Sequence, residues 1–205
     1  YFNSDTEYFD NYDGTVYMAY DAAEHEKFKS LSQELRFFSK FDSPLNFMLG
    51  AYYQDTTLDF TNTVLIAPLP RDAATGKYHT WEKPGRTDGK TISAFGQLTW
   101  DITSQLELAG GVRYTHEEKD SWVTNAWIHP PLSGTGLPPQ GKMFTDNFED
   151  DNLSPEATLT WRPSEDFTAY VGYRTGYKSG GFGTRTNLVP GTITLDSIRF
   201  KSAEI

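Results

Sequence analysis

The chain has 205 residues, a formal net charge of −10 and no cysteine, and 15% of it is aromatic although only 37% is hydrophobic. The charge argues against nucleic-acid binding, and the lack of cysteine excludes disulfide frameworks and thiolate metal sites. Because no apolar run approaches the ~20 residues of a membrane helix, the chain would cross a membrane only as strands.

The first 25 or so residues carry the weakest pattern. A loop-borne strand is predicted from Thr15 to Tyr20, although Asp and Asn residues crowd its approach. Beyond this region, strand-like alternation of apolar and polar residues appears six times. The runs cover residues 31–39, 45–53, 92–102, 105–115, 155–162 and 167–177.

The run from Gln105 to Thr115 shows the alternation most clearly. Leu106 and Val112 share one face, whereas Arg113 lies on the other. A sheet with one lipid-facing side, one wet side and long polar loops also accounts for a composition that is aromatic-rich yet polar overall.

Connections between the runs alternate between two sizes. The short ones, at 40–44, 103–104 and 163–166, have the Asp, Ser and Pro chemistry of turns. The long ones run roughly over 61–90, 120–151 and 179–197, and structureless connections of this length are uncommon in compact soluble domains. Outer-membrane barrels have short periplasmic turns and long extracellular loops. We therefore predict hairpins at about 31–60, 91–120 and 152–178, and a further strand near 198–205.

The hairpins repeat one plan with an offset of 61 residues, seen as Gly111 and Gly172. This plan predicts two rows of aromatic side chains at the membrane interfaces. Trp100 and Trp161 stand just before short turns and form the predicted periplasmic row. The predicted outer row consists of Tyr53, Tyr114, Tyr173 and Tyr177.

Several segments resemble the barrel of TonB-dependent receptors. Tyr173 to Phe182 is similar to the late-barrel motif of that family, and Phe200 to Ile205 resembles the start of the next strand. Leu31–Arg36 and Ser93–Gln97 resemble earlier wall strands. The resemblance covers nearly everything from Leu31 onward.

The resemblance implies an all-β, antiparallel, up-and-down transmembrane barrel of 22 strands in the outer membrane of a Gram-negative bacterium. It also implies a plug domain, import of scarce nutrients such as ferric siderophores, and energy supplied by the TonB complex. Neither a plug nor a TonB box is recognisable in the chain, and six full strands cannot close a barrel. We therefore expect the chain to be part of one barrel domain of a longer receptor, embedded in outer-membrane lipid and contacting TonB through a missing N-terminal region.

Aromatic and polar side chains in the predicted loops are the candidate ligand-binding residues, because loops on a rigid scaffold commonly carry function. They could contact a small-molecule nutrient or a metal chelate, or pack loop against loop. They are Tyr78, His79, Trp81, Trp122, Trp127 and His129, with Phe144 beside them. The polar side chains Glu107, Arg113, Glu156, Arg162 and Arg174 are expected to line the lumen and to pair with one another or with a plug.

Catalysis and cofactor binding find no support in the sequence. It contains no nucleophile elbow, phosphate loop or zincin helix. Metal binding at His116–Glu118, at His25 with its flanking glutamates, or at Glu149–Asn152 is disfavoured against solvated charges, so no metal, cofactor or catalytic residue is predicted. Two alternatives to a TonB-dependent receptor remain: a passive porin and a soluble β-rich carbohydrate-binding module.

Overall fold

A computed structural model of the chain describes residues 1–11, 14, 20–66, 69–133, 140–183, 194–195 and 198–204, with the last two segments described for their backbone alone. Within these ranges, no helix is long and apolar enough to cross a membrane. The strands are β1 (Phe2–Asn11), β2 (Tyr20–Phe38), β3 (Leu45–Ile66), β4 (Trp81–Asp101), β5 (Leu106–Thr124), β6 (Trp127–Ile128), β7 (Met143–Ser164), β8 (Phe167–Lys178), β9 (Gly181–Phe182), β10 (Thr194–Leu195) and β11 (Ile198–Glu204).

One antiparallel sheet contains all the long strands, in the order β1-β2-β3-β4-β5-β7-β8-β11. The two-residue strand β6 pairs with the start of β4, and β9 pairs with β10 in a separate small ribbon. Neighbours in the sheet are therefore close in sequence, as in an up-and-down meander. The sheet is open among the described residues, with β1 and β11 at its two edges.

The two faces of the sheet have opposite character at the turn-proximal end. Residues directly opposite each other on neighbouring strands share a face. Leu49, Gly96, Val112 and Pro155 follow one another across four strands and lie on what we call the apolar face. Its large side chains are exposed, including Leu98 at 55%. The polar face is the other side, where Arg113 lies.

The strands extend much further from the short turns than the sequence predicted. About half of each of the ranges 61–90 and 120–151 is paired strand rather than loop, because β3 runs to Ile66, β4 begins at Trp81, β5 runs to Thr124 and β7 begins at Met143. Only residues 67–80 and 125–142 separate the long strands there. Beyond Tyr53 the apolar residues of β3 change to the polar face, where Phe60 and Val64 are buried, so the pattern that marks the turn-proximal part of the strand does not continue although backbone pairing does.

The N-terminal region also forms strand where the sequence showed little pattern. β1 pairs with β2 from Phe2 opposite Ser30 to Asn11 opposite Asp21. The predicted loop-borne strand over Thr15–Tyr20 lies outside the described residues, apart from Tyr20, which begins β2.

A small hydrophobic core lies on the polar face, far from the short turns. Phe60, Val123 and Phe144 are buried there, with Phe182 packed against them. Gly85 lies between Phe60 and Val123 in the register, and the Phe60 ring covers the position where a Cβ would be. A glycine is needed at this point because the ring and the Trp122 carbonyl leave no room for a side chain.

Candidate lipid interface and ligand-binding face

The predicted interfacial aromatics lie on the apolar face, with one exception. Trp100 and Trp161 are half exposed beside the short turns. Tyr53, Tyr114 and Tyr173 are comparably exposed further along the strands. Indole and phenol rings suit membrane interfaces because the ring is apolar while its N–H or O–H can remain hydrated. The apolar face thus carries exposed apolar side chains between two rows of aromatic residues, an arrangement that fits the predicted membrane interfaces.

The tryptophan row steps along the strands as it crosses the sheet. Trp100 is opposite Leu108 of β5, whereas Trp161 is opposite Leu106. The row therefore moves two residues towards the short turns between β4 and β7. Strands of a membrane barrel are tilted by about 35–45°, so a level parallel to the membrane must shift in register in this way from strand to strand.

The tyrosine row steps in the same direction. Through the register, Tyr53 falls at the level of His116, two residues beyond Tyr114 on β5. Tyr173 falls at the level of Gly110, four residues before Tyr114. Because both rows descend from β3 towards β8, a single strand tilt accounts for both.

Tyr177 departs from the predicted row. Its hydroxyl donates a 2.9 Å hydrogen bond to Glu117, which lies on the polar face of β5. Burial, followed by the Glu117 carboxylate, raises the pKa of Tyr177, so the phenol remains a protonated donor. The placement of Tyr177 among the lipid-facing tyrosines was therefore wrong: the end of β8 turns inward across the sheet, which simple alternation along the strand could not reveal.

The residues that follow Tyr177 continue across the polar face. Lys119 of β5 contacts the Ser179 hydroxyl and donates a 2.9 Å hydrogen bond to the Gly180 carbonyl. Phe182 then packs against the hydrophobic core. We call residues 177–182 the crossing segment. The second half of the Tyr173–Phe182 motif, which carried the sequence resemblance, thus lies over the polar face.

Nearer the short turns, the polar face carries charged side chains, as the sequence predicted. Arg162 donates to the Glu107 carboxylate at 3.2 Å. Glu156 is directly opposite Arg174 in the register. Arg113 forms its own arrangement, donating to Ser93 at 2.9 Å and lying 5.1 Å from the centre of the Phe95 ring.

Four of the six predicted ligand-binding residues form one contact chain, the aromatic loop cluster of Tyr78, His79, Trp127 and His129. Their neighbouring ring centres are 6.3, 6.4 and 6.2 Å apart in that order. The Trp127 indole donates to the His79 carbonyl at 3.4 Å, and His129 Nε2 donates to the Pro70 carbonyl at 2.9 Å. Trp127 and His129 are buried, whereas Tyr78 is 48% exposed.

The loop before β4 is shaped by its own backbone and side chains. Gly76 has a φ of 71°, a left-handed conformation that favours glycine, and its N–H donates to the Asp72 carbonyl at 2.7 Å. The Asp72 carboxylate accepts from the Thr75 N–H and hydroxyl. Lys77 then reaches Glu82 at 2.6 Å and lies 5.5 Å from the Trp127 ring centre. This turn directs Tyr78 and His79 towards Trp127.

The electrostatics of His79 reflect this packing. Burial lowers the pKa of His79, although the Glu82 carboxylate at 3.4 Å acts in the opposite direction. The folded loop therefore favours a neutral imidazole.

The other predicted ligand-binding residues lie on strands rather than in loops. Trp81 is the first residue of β4 and Trp122 lies in β5, where it lines a hollow with Asp120. Phe144 lies in β7 and belongs to the hydrophobic core. The structure therefore does not bring Trp122 or Phe144 to the aromatic loop cluster.

His116 contacts carboxylates on two strands. His116 Nδ1 is 3.0 Å from Asp151 and Nε2 is 3.2 Å from Glu118. Glu149 of β7 is opposite Glu118, and one ligand atom each from His116, Glu118 and Glu149 lie within 4.8 Å of one another. The sequence analysis weighed metal binding only at His116–Glu118, within one strand. The third group comes from the neighbouring strand.

A row of buried polar residues escaped the sequence analysis. Glu24, Asn62 and Lys83 are opposite one another on β2, β3 and β4 and lie on the polar face. Asn62 donates to Glu24 at 3.3 Å. Lys83 is only 1% exposed. The alternation around Lys83 could have indicated which face its side chain lies on. Burial of a lysine is rare, however, so the sequence alone predicts that the Lys83 side chain is exposed to solvent.

Comparison with known proteins matches residues 1–205 to the family model described as TonB dependent receptor-like, beta-barrel. The chain belongs to this family of TonB-dependent receptors. The pesticin receptors of Yersinia enterocolitica and Yersinia pestis are each 26% identical to it over 169 residues, which is 82% of this chain. That region is 22% of each relative, so the chain spans about a fifth of their length.

The fold of this TonB-dependent receptor chain is similar to that of the ferric yersiniabactin uptake receptor of Yersinia pestis. The TM-score is 0.66 at 21% identity, covering 90% of this chain and 26% of the other. The strands are thus a stretch of an antiparallel barrel wall in the outer membrane of a Gram-negative bacterium. Family membership excludes the soluble carbohydrate-binding module. The apolar face is the lipid side, and the polar face is the lumen side.

Proposed function

We propose that the receptor containing these residues imports a scarce nutrient as a small-molecule metal chelate, of which a ferric siderophore is the leading case. The observation that carries the proposal is the family match over residues 1–205. One structural relative is named for ferric yersiniabactin uptake, which supports a chelate as the cargo. In this proposal residues 1–205 form part of one barrel domain, and the TonB complex contacts the receptor outside them.

Among the predicted ligand-binding residues, the exposed side of the aromatic loop cluster is the favoured contact. Tyr78 is exposed and has the Arg71 guanidinium 5.0 Å from its ring centre, so the pair offers a stacking surface beside a positive charge. Trp127 and His129 are buried behind it and hold the loop in place. Trp122 stays a secondary candidate because it lies on β5, and Trp81 because its ring packs beside the buried Lys83 on β4.

Uptake in cells tests the function. Cells expressing the full-length receptor, with and without a functional TonB complex, would be given ferric yersiniabactin containing radioactive iron. We expect accumulation only when TonB is functional. Equal accumulation in both strains would support the passive porin instead, and no accumulation in either would exclude this chelate as cargo.

A loop deletion tests the ligand surface separately. Removing residues 69–79 and joining the ends through a short turn leaves β3 and β4 paired, because their register begins at Val64 opposite Trp81. We expect chelate binding to weaken at least tenfold, and Tyr78→Ala to weaken it less. Tyr170→Ala is the matched control, since that tyrosine is similarly exposed at 51% near a short turn. Unchanged affinity after the deletion would exclude this loop as the ligand contact.

A further inference from the structure

Lys83 is a buried cation with no hydrogen-bond partner among the residues that the structure describes. Its side chain is 1% exposed, and within those residues Nζ makes no hydrogen bond. Nζ lies over the Trp81 ring, 4.6 Å from the ring centre. Polar groups buried in proteins are nearly always hydrogen-bonded, so an unpartnered ammonium is an exception that needs an explanation.

Trp81 adds a second unused donor on the same face. Trp81 and Lys83 are two residues apart on β4, so both side chains point to the polar face. The Trp81 Nε1–H is also buried and makes no hydrogen bond within the described part of the chain. The Cα atoms of Trp81 and Lys83 are therefore about 7 Å apart along the strand. Each of the two residues presents one donor group to the polar face, and the Lys83 group is charged.

The neighbouring strand does not supply the missing acceptor. Asn62 is directly opposite Lys83, and its Oδ1 makes no hydrogen bond, whereas its Nδ2 donates to Glu24. One of the three ammonium N–H groups could turn to Asn62 Oδ1, and two would still lack an acceptor. Glu24 lies one strand further away, beyond Asn62.

Burial lowers the pKa of Lys83, which is the physical sign of a charge held without compensation. The Trp81 ring offsets only part of the desolvation penalty of a cation. An anionic oxygen would offset more, because charge-assisted hydrogen bonds are roughly twice as strong as neutral ones.

We propose that Lys83 Nζ and Trp81 Nε1 form an oxyanion-binding site on the lumen side of the sheet, at the start of β4 far from the short turns, for the carboxylate or phosphate group of a small molecule. The ammonium supplies charge and two N–H groups, the indole supplies one N–H, and Asn62 Oδ1 orients the ammonium. The site does not depend on which nutrient the receptor imports.

The purified full-length receptor in detergent micelles provides the test, with inorganic phosphate and acetate as separate probes in calorimetric titrations. We expect at least one of the two anions to bind. Lys83→Met should weaken that binding at least tenfold, because it removes a charge-assisted contact, and Trp81→Phe about fivefold, because it keeps the ring but removes the N–H. Comparison of the two probes identifies which oxyanion the site takes.

Two further variants separate the site from general effects. Lys90→Met alters an exposed lysine on the same strand and should bind the anion like the unmodified receptor. Lys83→Met should raise the thermal midpoint without added anion, because methionine removes an uncompensated buried charge at similar volume.

Several results would overturn the proposal. One is that neither anion binds, and another is that Lys83→Met and Trp81→Phe bind the anion unchanged. A third is that Lys83→Met and Glu24→Gln each lower the thermal midpoint and are no worse when combined, which would show an internal ion pair. Loss of chelate uptake in cells bears on the proposed function alone, since the titrations use no chelate.

Discussion

Tyr177 of β8 donates a 2.9 Å hydrogen bond to Glu117 of β5, although β7 lies between those two strands. The bond begins the crossing segment, which continues through the Lys119 contacts to Phe182. The end of one strand is thereby fixed to the lumen side of a strand two places away.

Tyr177→Phe should loosen the crossing segment. The change leaves the buried Glu117 carboxylate with one donor fewer, at an expected cost of about 1–3 kcal/mol in local stability. Amide hydrogen exchange of residues 178–182 in the full-length receptor is the measurement, and exchange should become faster. Tyr173→Phe is the control, because that tyrosine is exposed on the apolar face. Equal protection in both variants would show that Glu117 does not hold the segment.

Gly85→Ala should destabilise the part of the sheet around the hydrophobic core of Phe60 and Val123. A Cβ at Gly85 would meet the Phe60 ring and lie 2.8 Å from the Trp122 carbonyl oxygen, which is backbone and cannot move aside easily. Overpacking of this kind costs roughly 1–3 kcal/mol. Gly110→Ala is the matched control, since a Cβ there meets nothing within 4 Å. Denaturant unfolding of both variants decides the point, and equal stability would contradict the packing described.

Leu98→Arg should impair insertion into lipid. Leu98 is exposed on the apolar face, two residues inward from Trp100, and an arginine on the lipid face of a barrel costs up to about 2–4 kcal/mol, a cost that falls towards the interfaces. Folding of the full-length receptor into lipid vesicles measures this cost. Gln97→Arg, one residue away on the polar face, should fold nearly normally. The assignment of faces fails if the two variants fold equally well.

Acidification should loosen the aromatic loop cluster through His79. Because burial lowers the pKa of His79, the unfolded loop takes up a proton first as the pH falls through about 6.5, and stability of the folded loop then decreases. Amide exchange of residues 77–80, corrected for its intrinsic pH dependence, should rise between pH 7.5 and pH 5.5. His79→Gln should remove most of this dependence, whereas His25→Gln on β2 should keep it. A pH response that survives in His79→Gln would assign the effect to another group.

The lipid-facing part of the fold was predictable because the bilayer imposes a strict rule on it. Leu106 to Tyr114 alternates since one side meets hydrocarbon and the other does not, and the short turn at 103–104 before it carries recognisable turn chemistry. The same rule placed Trp100, Trp161, Tyr53 and Tyr114 on one face. That rule does not act on residues 61–66, where Asn62 and Val64 are buried on the polar face and no side meets lipid, so this part of the strand was predicted as loop.

The candidate ligand face was less accessible to sequence analysis because it depends on contacts between distant segments. Nothing local in the sequence brings Tyr78 and His79 to Trp127; the pairing of β6 with β4 does so. Likewise, the inward turn of Tyr177 depends on Glu117, 60 residues earlier. The unpartnered state of Lys83 becomes visible only when the strands on each side are in place.

The length of β3 beyond Tyr53 sets the height at which the receptor meets its surroundings. From Tyr53 to Ile66 the strand continues for 13 residues, or about 43 Å along its path and ~33 Å of elevation at a tilt near 40°. This is comparable to the ~30 Å thickness of the hydrocarbon layer itself. The paired strands therefore project beyond the lipid by about as much as the hydrocarbon layer is thick, so the connection after Ile66 lies a full membrane thickness away from the lipid surface.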